Sequence, residues 1–594
     1  MNQIYRNNQR SRRSGRGAGS GRKAAGGFSL AGLSPRALLL GGLVLAVLII
    51  GIIIAIVKYA PSREWMELTD YFTYSREDEA AVILNGTYTE PEDGAVNALV
   101  VNDFPYIEIS YLKENLDEGY VYDSTEQVLR YTTDSQVVSA NLGSSEYTVG
   151  RDSASVSSAV VYSEGSSVYL SLEFVSQYTD ITYSLNTEPN RLVIWTAGTE
   201  RTLSSAKKVT QLRRYGGPKS KILDETEKGE SLYVIENYGK WSLVLTEDGV
   251  LGCIKNRYLG DSTEEEVAAN LEERVYNHIL MDEKVNLLWH QVTNTTANSS
   301  ISSVLEASDG INVISPTWFY LNDNQGGIAN IASLDYVTTA HNAGVQVWGL
   351  ISNLENSDVD TTTVLSVTSA RDNLINNIVA AAIAYDLDGI NVDFESLSSS
   401  AADGYMEFIR ELSLKCESND LVLSVDNYVP SSSTMFYNRA NQALYADYVI
   451  VMAYDEHYRG SEEAGSTASI GFVTDGITDT LEEVPAEQVI LGMPFYTRIW
   501  STDGETLNCE SIGMKNIDEY LSDKDATITW LEDEGQNYAE FTLDGLTYMI
   551  WIEDTQSLTL KLSAMQENSL AGGAFWKSGF ETEEIWSVIA TYMN

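Results

Sequence analysis

From residue 283 onward, short apolar runs recur at a regular beat, at 285–290, 311–321, 345–352, 387–395, 421–429, 448–454, 489–495 and 570–576. Most are separated by stretches with helical periodicity. In 401–416, for example, Tyr405, Phe408, Ile409 and Leu412 fall at i, i+3, i+4 and i+7, on one helix face. Strand-like runs alternating with helices across 283–594 predict an α/β fold, a (β/α)8 TIM barrel whose acidic and aromatic strand ends face one mouth. Upstream the pattern changes. Brief alternating runs rich in Tyr, Val, Ser and Thr over 76–198 predict an α+β module. Short β-like runs over 205–260, broken by the turns GGPKS, EKGE, YGK and EDG, predict a small β-barrel. Nearest the N-terminus, 37–57 carries no charge, and at ~1.5 Å per residue it is long enough to cross a bilayer core.

The first module holds an internal echo. YIEISYLKENLDEGY from Tyr106 and YLSLEFVSQYTDITY from Tyr169 align Tyr111 with Phe174, Asp117 with Asp180, and Tyr120 with Tyr183. Each copy reads as strand, short helix, strand. The pair resembles the module named after the copper amine oxidase N-terminus, although neither copy has a His or Cys that could hold copper. The second module, from Val209 through Gly239-Lys240-Trp241 to Leu259-Gly260, resembles the bacterial Src-homology-3-type barrel. Wall binding or a spacer role is expected of both. Residues 58–75 read as a short stalk and 261–282 as an acidic, helix-prone connector containing Glu264-Glu265-Glu266.

Charge adds an orientation. The 594 residues carry 38 Lys plus Arg against 85 Asp plus Glu, a net −47, which excludes a general nucleic-acid binder. Residues 1–36 are the exception, with basic but no acidic side chains. Positive charge before an apolar run keeps that end inside. The run therefore reads as an uncleaved signal anchor in the cell membrane, single-pass, with a cytoplasmic tail and everything after Lys58 outside. The cysteines, Cys253, Cys416 and Cys509, are far apart and lack metal or disulfide spacing. With no clustered His set, neither a metal site nor a cofactor is expected. No protein partner can be named.

The fourth barrel run, DGINVDFE, carries the chemistry. Strand side chains alternate, so Asn391, Asp393 and Glu395 share one face while Ile390, Val392 and Phe394 share the other. A polar stripe on a central barrel strand points inward, where carboxylates are costly unless they bond one another or a ligand. At the C-terminal end of such a strand it reads as catalytic.

DGINVDFE resembles the DGxDxDxE signature of glycoside hydrolase family 18. Met452-Ala453-Tyr454-Asp455 and Trp576 resemble the family's MxYD segment and the tryptophan closing its eighth strand, and WHQVTN, YDEH, GMPFYTRIW and FWKSGFE look closest to its spore-cortex-lytic branch. The resemblance implies that Glu395 is the general acid, that Asp393 orients the substrate's own acetamido group, that Tyr454 bonds its carbonyl side, and that Trp576 floors the sugar. Most chitinases have Asp at the position of Asn391; the cortex-lytic branch also carries Asn. Asn391, Asp455, His457 and Arg498 are further substrate-binding candidates, and His290 reads as a core histidine. The implied substrate is an N-acetylglucosamine-containing glycan, peptidoglycan or chitin. A chitinase, an endo-β-N-acetylglucosaminidase and a non-catalytic wall-glycan binder are the competing readings.

Overall fold

The computed structural model describes residues 34–92 and 94–593; the expected basic tail, 1–36, lies outside them except for its last three residues. Ser34 Oγ caps the first helix, Pro35–Tyr59, by accepting from Ala37 N, and proline takes the first helical position, where a missing N–H is harmless. None of its side chains is buried, and by length and composition it could cross a membrane.

Eight parallel strands form the barrel: β1 (Val285–His290), β2 (Val313–Leu321), β3 (Gln346–Ser352), β4 (Gly389–Asp393), β5 (Val422–Tyr428), β6 (Tyr448–Met452), β7 (Val489–Pro494) and β8 (Gly572–Trp576). Neighbours pair in chain order, and β8 pairs with both β7 and β1, which closes the sheet. Gly572 permits that closure, since a Cβ there would lie 2.0 Å from the Val285 carbonyl oxygen. Side chains alternate as pleating requires. Val285, Leu287 and Trp289 of β1, Trp348 and Leu350 of β3, and Tyr448 and Ile450 of β6 fill the interior. Leu288, Ile314, Ile351, Ile390 and Val392 pack outward in the cluster shared with the helices. Burial on both faces is why these strands read as continuous apolar runs.

Between β7 and β8 the chain inserts a five-stranded antiparallel sheet, in the order Leu507–Gly513, Tyr496–Thr502, Leu546–Ile552, Gln536–Leu543, Thr527–Leu531. No sequence expectation covers it. Its strands mix apolar with polar residues, and the outer ones are largely exposed.

Upstream, both copies of the repeat fold as strand, helix, strand, and their first strands pair antiparallel, Tyr169 opposite Glu108. Two expectations change. The acidic connector is not helical: Thr263–Glu266 is a strand antiparallel to Glu200–Leu203 in a seven-stranded sheet. Arg201 pairs with Glu265 at 2.7 Å and Thr202 donates to Glu264 at 2.8 Å, so cross-strand partners override the helical preference of glutamate. Nor is 58–75 a free stalk. Trp65 bridges to Ile222, Met66 is buried with Leu223 and Val250, and Phe72 is buried with Ile83, Trp195 and Leu245.

The repeat module is seated on the barrel. The helix Thr368–Tyr385 has no side-chain cap from its own N-cap residue, Val367. Asp123 Oδ2 accepts from Thr368 N at 2.7 Å and Glu126 from Ser369 N at 2.9 Å, so the module's carboxylates occupy the positive end of that helix. Beside them Arg130 pairs with Asp372 at 2.6 Å, and Thr132 Oγ1 donates to the fully buried Glu407 at 2.7 Å. Asp123→Ala removes a cap and an intermodule tie together. It is expected to destabilise the chain by about 1–2 kcal/mol in chemical denaturation, and an unchanged midpoint would refute the capping role.

Candidate active site

The inward stripe of β4 meets a matching stripe on β5. Asn391 pairs in register with Ser424 and Val392 with Val425, so Asp393 and Asp426, then Glu395 and Tyr428, follow as facing inward pairs. Asn391 lies deepest and is fully buried. Its Oδ1 accepts from Trp289 Nε1 at 2.9 Å and Ser315 Oγ at 3.0 Å; its Nδ2 donates to Ser424 Oγ at 3.1 Å and Asp426 Oδ1 at 2.8 Å. Every hydrogen-bonding position of the amide is used by protein, which makes it a foundation of the site.

Asp393 stands one step higher. Its Oδ1 is buried without a hydrogen-bond partner. Burial, and then the negative charges of Asp426, Glu395 and Glu355, hold its carboxyl well above the usual carboxylate range. Glu395 sits just past the strand, half-buried. Asn353 grips its backbone on both sides, accepting from Glu395 N and donating to Glu395 O, each at 2.9 Å. Tyr428 OH donates to Glu395 Oε2 at 2.8 Å. Burial, followed by the charges of Asp455 and Glu355, raises Glu395, while the Tyr428 bond opposes the shift. The group therefore keeps its proton above the pH at which an ordinary glutamate loses it, as a general acid requires. Removing a neighbouring negative charge should lower it. Glu355→Gln is therefore expected to move the alkaline limb of the pH–rate profile toward lower pH, and a shift upward would contradict this electrostatic account.

Tyr454 lies beyond β6, packed against both the interior and the outer core. Burial first, then Tyr496, Asp393, Asp426 and Glu395, push its phenol far up, so it remains an O–H donor. Trp576, at the end of β8, sets its ring edge-on to Trp289, with centroids 5.9 Å apart. Asp455 adopts a left-handed backbone, φ 60°, and receives Arg498 Nη2 at 2.5 Å and the Tyr496 hydroxyl. Arg498 and Tyr496 come from the inserted sheet, so this ion pair ties the insert to the barrel rim. His457 turns Nδ1 to Ser466 O at 3.0 Å, against Gly465. His290 is buried between Tyr336 OH and Ser300 Oγ, and burial together with Lys577 drives it down to about 4.

The structure thus gathers Glu395, Asp393 and Tyr454 within electrostatic reach of one another, with Trp576 on the same interior cluster. Asn391 lies beneath them, Asp455 and Arg498 pair with each other, and His457 is engaged by backbone. Sequence reasoning missed Asp426, Tyr428, Asn353 and Tyr496. The period-two spacing of Ser424, Asp426 and Tyr428 was the available signal for two of them.

Residues 289–581 match Glycosyl hydrolases family 18, and residues 83–194 match the Copper amine oxidase N-terminal domain. The barrel is a family 18 glycosyl hydrolase domain. Among curated proteins, the uncharacterized glycosylase YvbX of Bacillus subtilis is 24% identical over 310 residues, covering 50% of this chain and 88% of that one. The cortical fragment-lytic enzyme of the same organism is 24% identical over 277 residues, 44% of this chain and 63% of its own length, so this chain spans less than two thirds of it. Among solved structures, the spore cortex-lytic enzyme SleL of Bacillus cereus superposes with a TM-score of 0.48 at 17% identity, over 55% of this chain and 79% of that one.

Proposed function

We propose that this chain is a membrane-anchored, extracellular glycosidase that cleaves β-1,4 bonds at N-acetylglucosamine in peptidoglycan, with retention and through the substrate's own acetamido group. The observation that carries the reading is the Glu395 carboxyl. Burial raises it above the usual carboxylate range at the end of a central barrel strand, next to Asp393, whose Oδ1 is buried, and the Tyr454 phenol. Similarity to a cortical fragment-lytic enzyme supports a wall glycan as substrate.

Glu395 gives its proton to the glycosidic oxygen as the bond to the anomeric carbon breaks. The acetamido carbonyl oxygen attacks that carbon, forming an oxazolinium ion. Asp393 accepts the acetamido N–H, and Tyr454 donates to the carbonyl oxygen. Trp576 supports the sugar face. Water then attacks while Glu395, now a carboxylate, takes its proton. Asp455, Arg498 and His457 would contact neighbouring sugars at the rim.

Mass spectrometry of fragments from peptidoglycan, cortex and chitin tests the substrate. New reducing ends at N-acetylglucosamine are expected from peptidoglycan; ends at muramic acid only, or no fragments, would overturn the proposal. The anchoring part has its own test. Protease added to intact protoplasts should degrade the barrel, and protection would place it on the other side.

A further inference from the structure

We propose that Asp426 is the proton-holding partner of Asp393, the two carboxyls acting as one acid whose single proton moves between them when the acetamido group docks; this rests on the glycosidase reading above. Register is the first support. The pairings Asn391–Ser424 and Val392–Val425 put Asp393 and Asp426 side by side on the inner face of adjacent strands. Burial is the second. Asp426 is 2% exposed, and Asp393 Oδ1 is buried without a donor or acceptor. Polarity is the third. Asn391 spends its carbonyl on Trp289 and Ser315 and gives Asp426 Oδ1 an N–H at 2.8 Å, so the amide holds only one of the two Asp426 oxygens.

Two facing carboxylates shielded from water do not both ionise, so the pair holds one proton. The other ionisable groups bearing on it are Glu395 beyond β4, Glu355 after β3, Tyr454 beyond β6, Tyr405 on the helix Ala402–Glu417, and Tyr437 after β5. Arg439, near both of the last two, is engaged with Glu483 at 3.8 Å. None of the charges acting on Asp393 is positive: burial leads, then Asp426, Glu395 and Glu355. Burial and Glu395 also raise Asp426, against the Asn391 bond.

Before substrate binds, the proton rests on Asp393 Oδ1 and is donated toward Asp426, which gives the orphaned oxygen its partner. The Asn391 amide steadies Asp426 as the carboxylate. When an acetamido N–H meets Asp393, the Asp393 O–H bond breaks, the proton passes to Asp426 Oδ2, and Asp393 accepts the N–H as a carboxylate. Product release returns the proton. Nothing is oxidised or consumed. An amide at 391 fits this scheme, because an aspartate there would press a third charge against Asp426 Oδ1.

Asp426→Asn keeps the shape but removes the charge that holds the shared proton on Asp393, so its effect is read in the pH dependence of kcat, with KM little changed. The acidic limb of the pH–rate profile should move to lower pH, because the charge that raises Asp393 is gone. Asn391→Asp should move the same limb upward. Infrared difference spectra at neutral pH need no substrate: parent minus Asp426→Asn should show the loss of one protonated-carboxyl stretch, as should parent minus Asp393→Asn. An unmoved limb in both Asp426→Asn and Asn391→Asp, with the full carboxyl band retained in Asp426→Asn, would overturn the proposal. A parent that releases no sugar yet shows the shared-proton band would instead sink the glycosidase reading and leave the pair standing.

Discussion

Glu395→Gln is expected to lower turnover by about 10²–10⁴-fold, the usual worth of general acid–base catalysis, while leaving the fold and sugar binding in place. Glutamine matches glutamate in size and can still accept the Tyr428 hydroxyl, which reaches Glu395 Oε2 at 2.8 Å. The Asn353 clamp involves only the backbone of residue 395 and is untouched. What is lost is the transferable proton. Kinetics on soluble glycan fragments, with calorimetric binding of an N-acetylglucosamine oligomer as the control, separates the two effects. Parent-rate turnover by the variant would mean that the proton comes from elsewhere.

The largest stability effect is expected at the base of the insert. Glu553 and Lys561 are both buried, at 0% and 1% exposure of their side chains, and Lys561 Nζ lies 2.7 Å from each Glu553 oxygen. Ser557 Oγ and Gln536 Nε2 donate to the same carboxylate at 2.7 and 3.0 Å. Glu553→Ala would strand a buried ammonium, and breaking such a pair typically costs about 3–5 kcal/mol. The double variant Glu553→Leu/Lys561→Met removes both charges and should recover most of the loss. Equilibrium denaturation of the three proteins checks this; a loss below about 1 kcal/mol for Glu553→Ala would show that water reaches the pair.

The barrel was legible because its strands are buried on both faces, which writes each as an apolar run. The β4 stripe was legible for the opposite reason: polar side chains at every second position break such a run visibly. The same rule applied to β5 would have found Asp426 and Tyr428, but no acid ends that strand to draw notice. The inserted sheet was hidden because its exposed outer strands lack a dense apolar signature. Glu264-Glu265-Glu266 misled because glutamate's local preference is helical, whereas Arg201 and Thr202, which decide the outcome, lie on a strand far back in the chain. The Asp455–Arg498 pair was equally invisible, since its partners meet only when the insert folds over the rim.

The cap that Asp123 and Glu126 place on Thr368–Tyr385 spans 245 and 243 residues of sequence. Closing so long a loop in a free chain is slow, because its entropy is spent before the contact repays it. Synthesis from the N-terminus changes the order of events. The repeat module emerges first and can fold as a unit, so the later helix meets carboxylates already in place. The upstream module is thus a template on which one side of the barrel is assembled. Moved behind the barrel by circular permutation, the same residues would build the same contacts, but the barrel would have to wait for its cap, and refolding yield rather than final stability would register the difference.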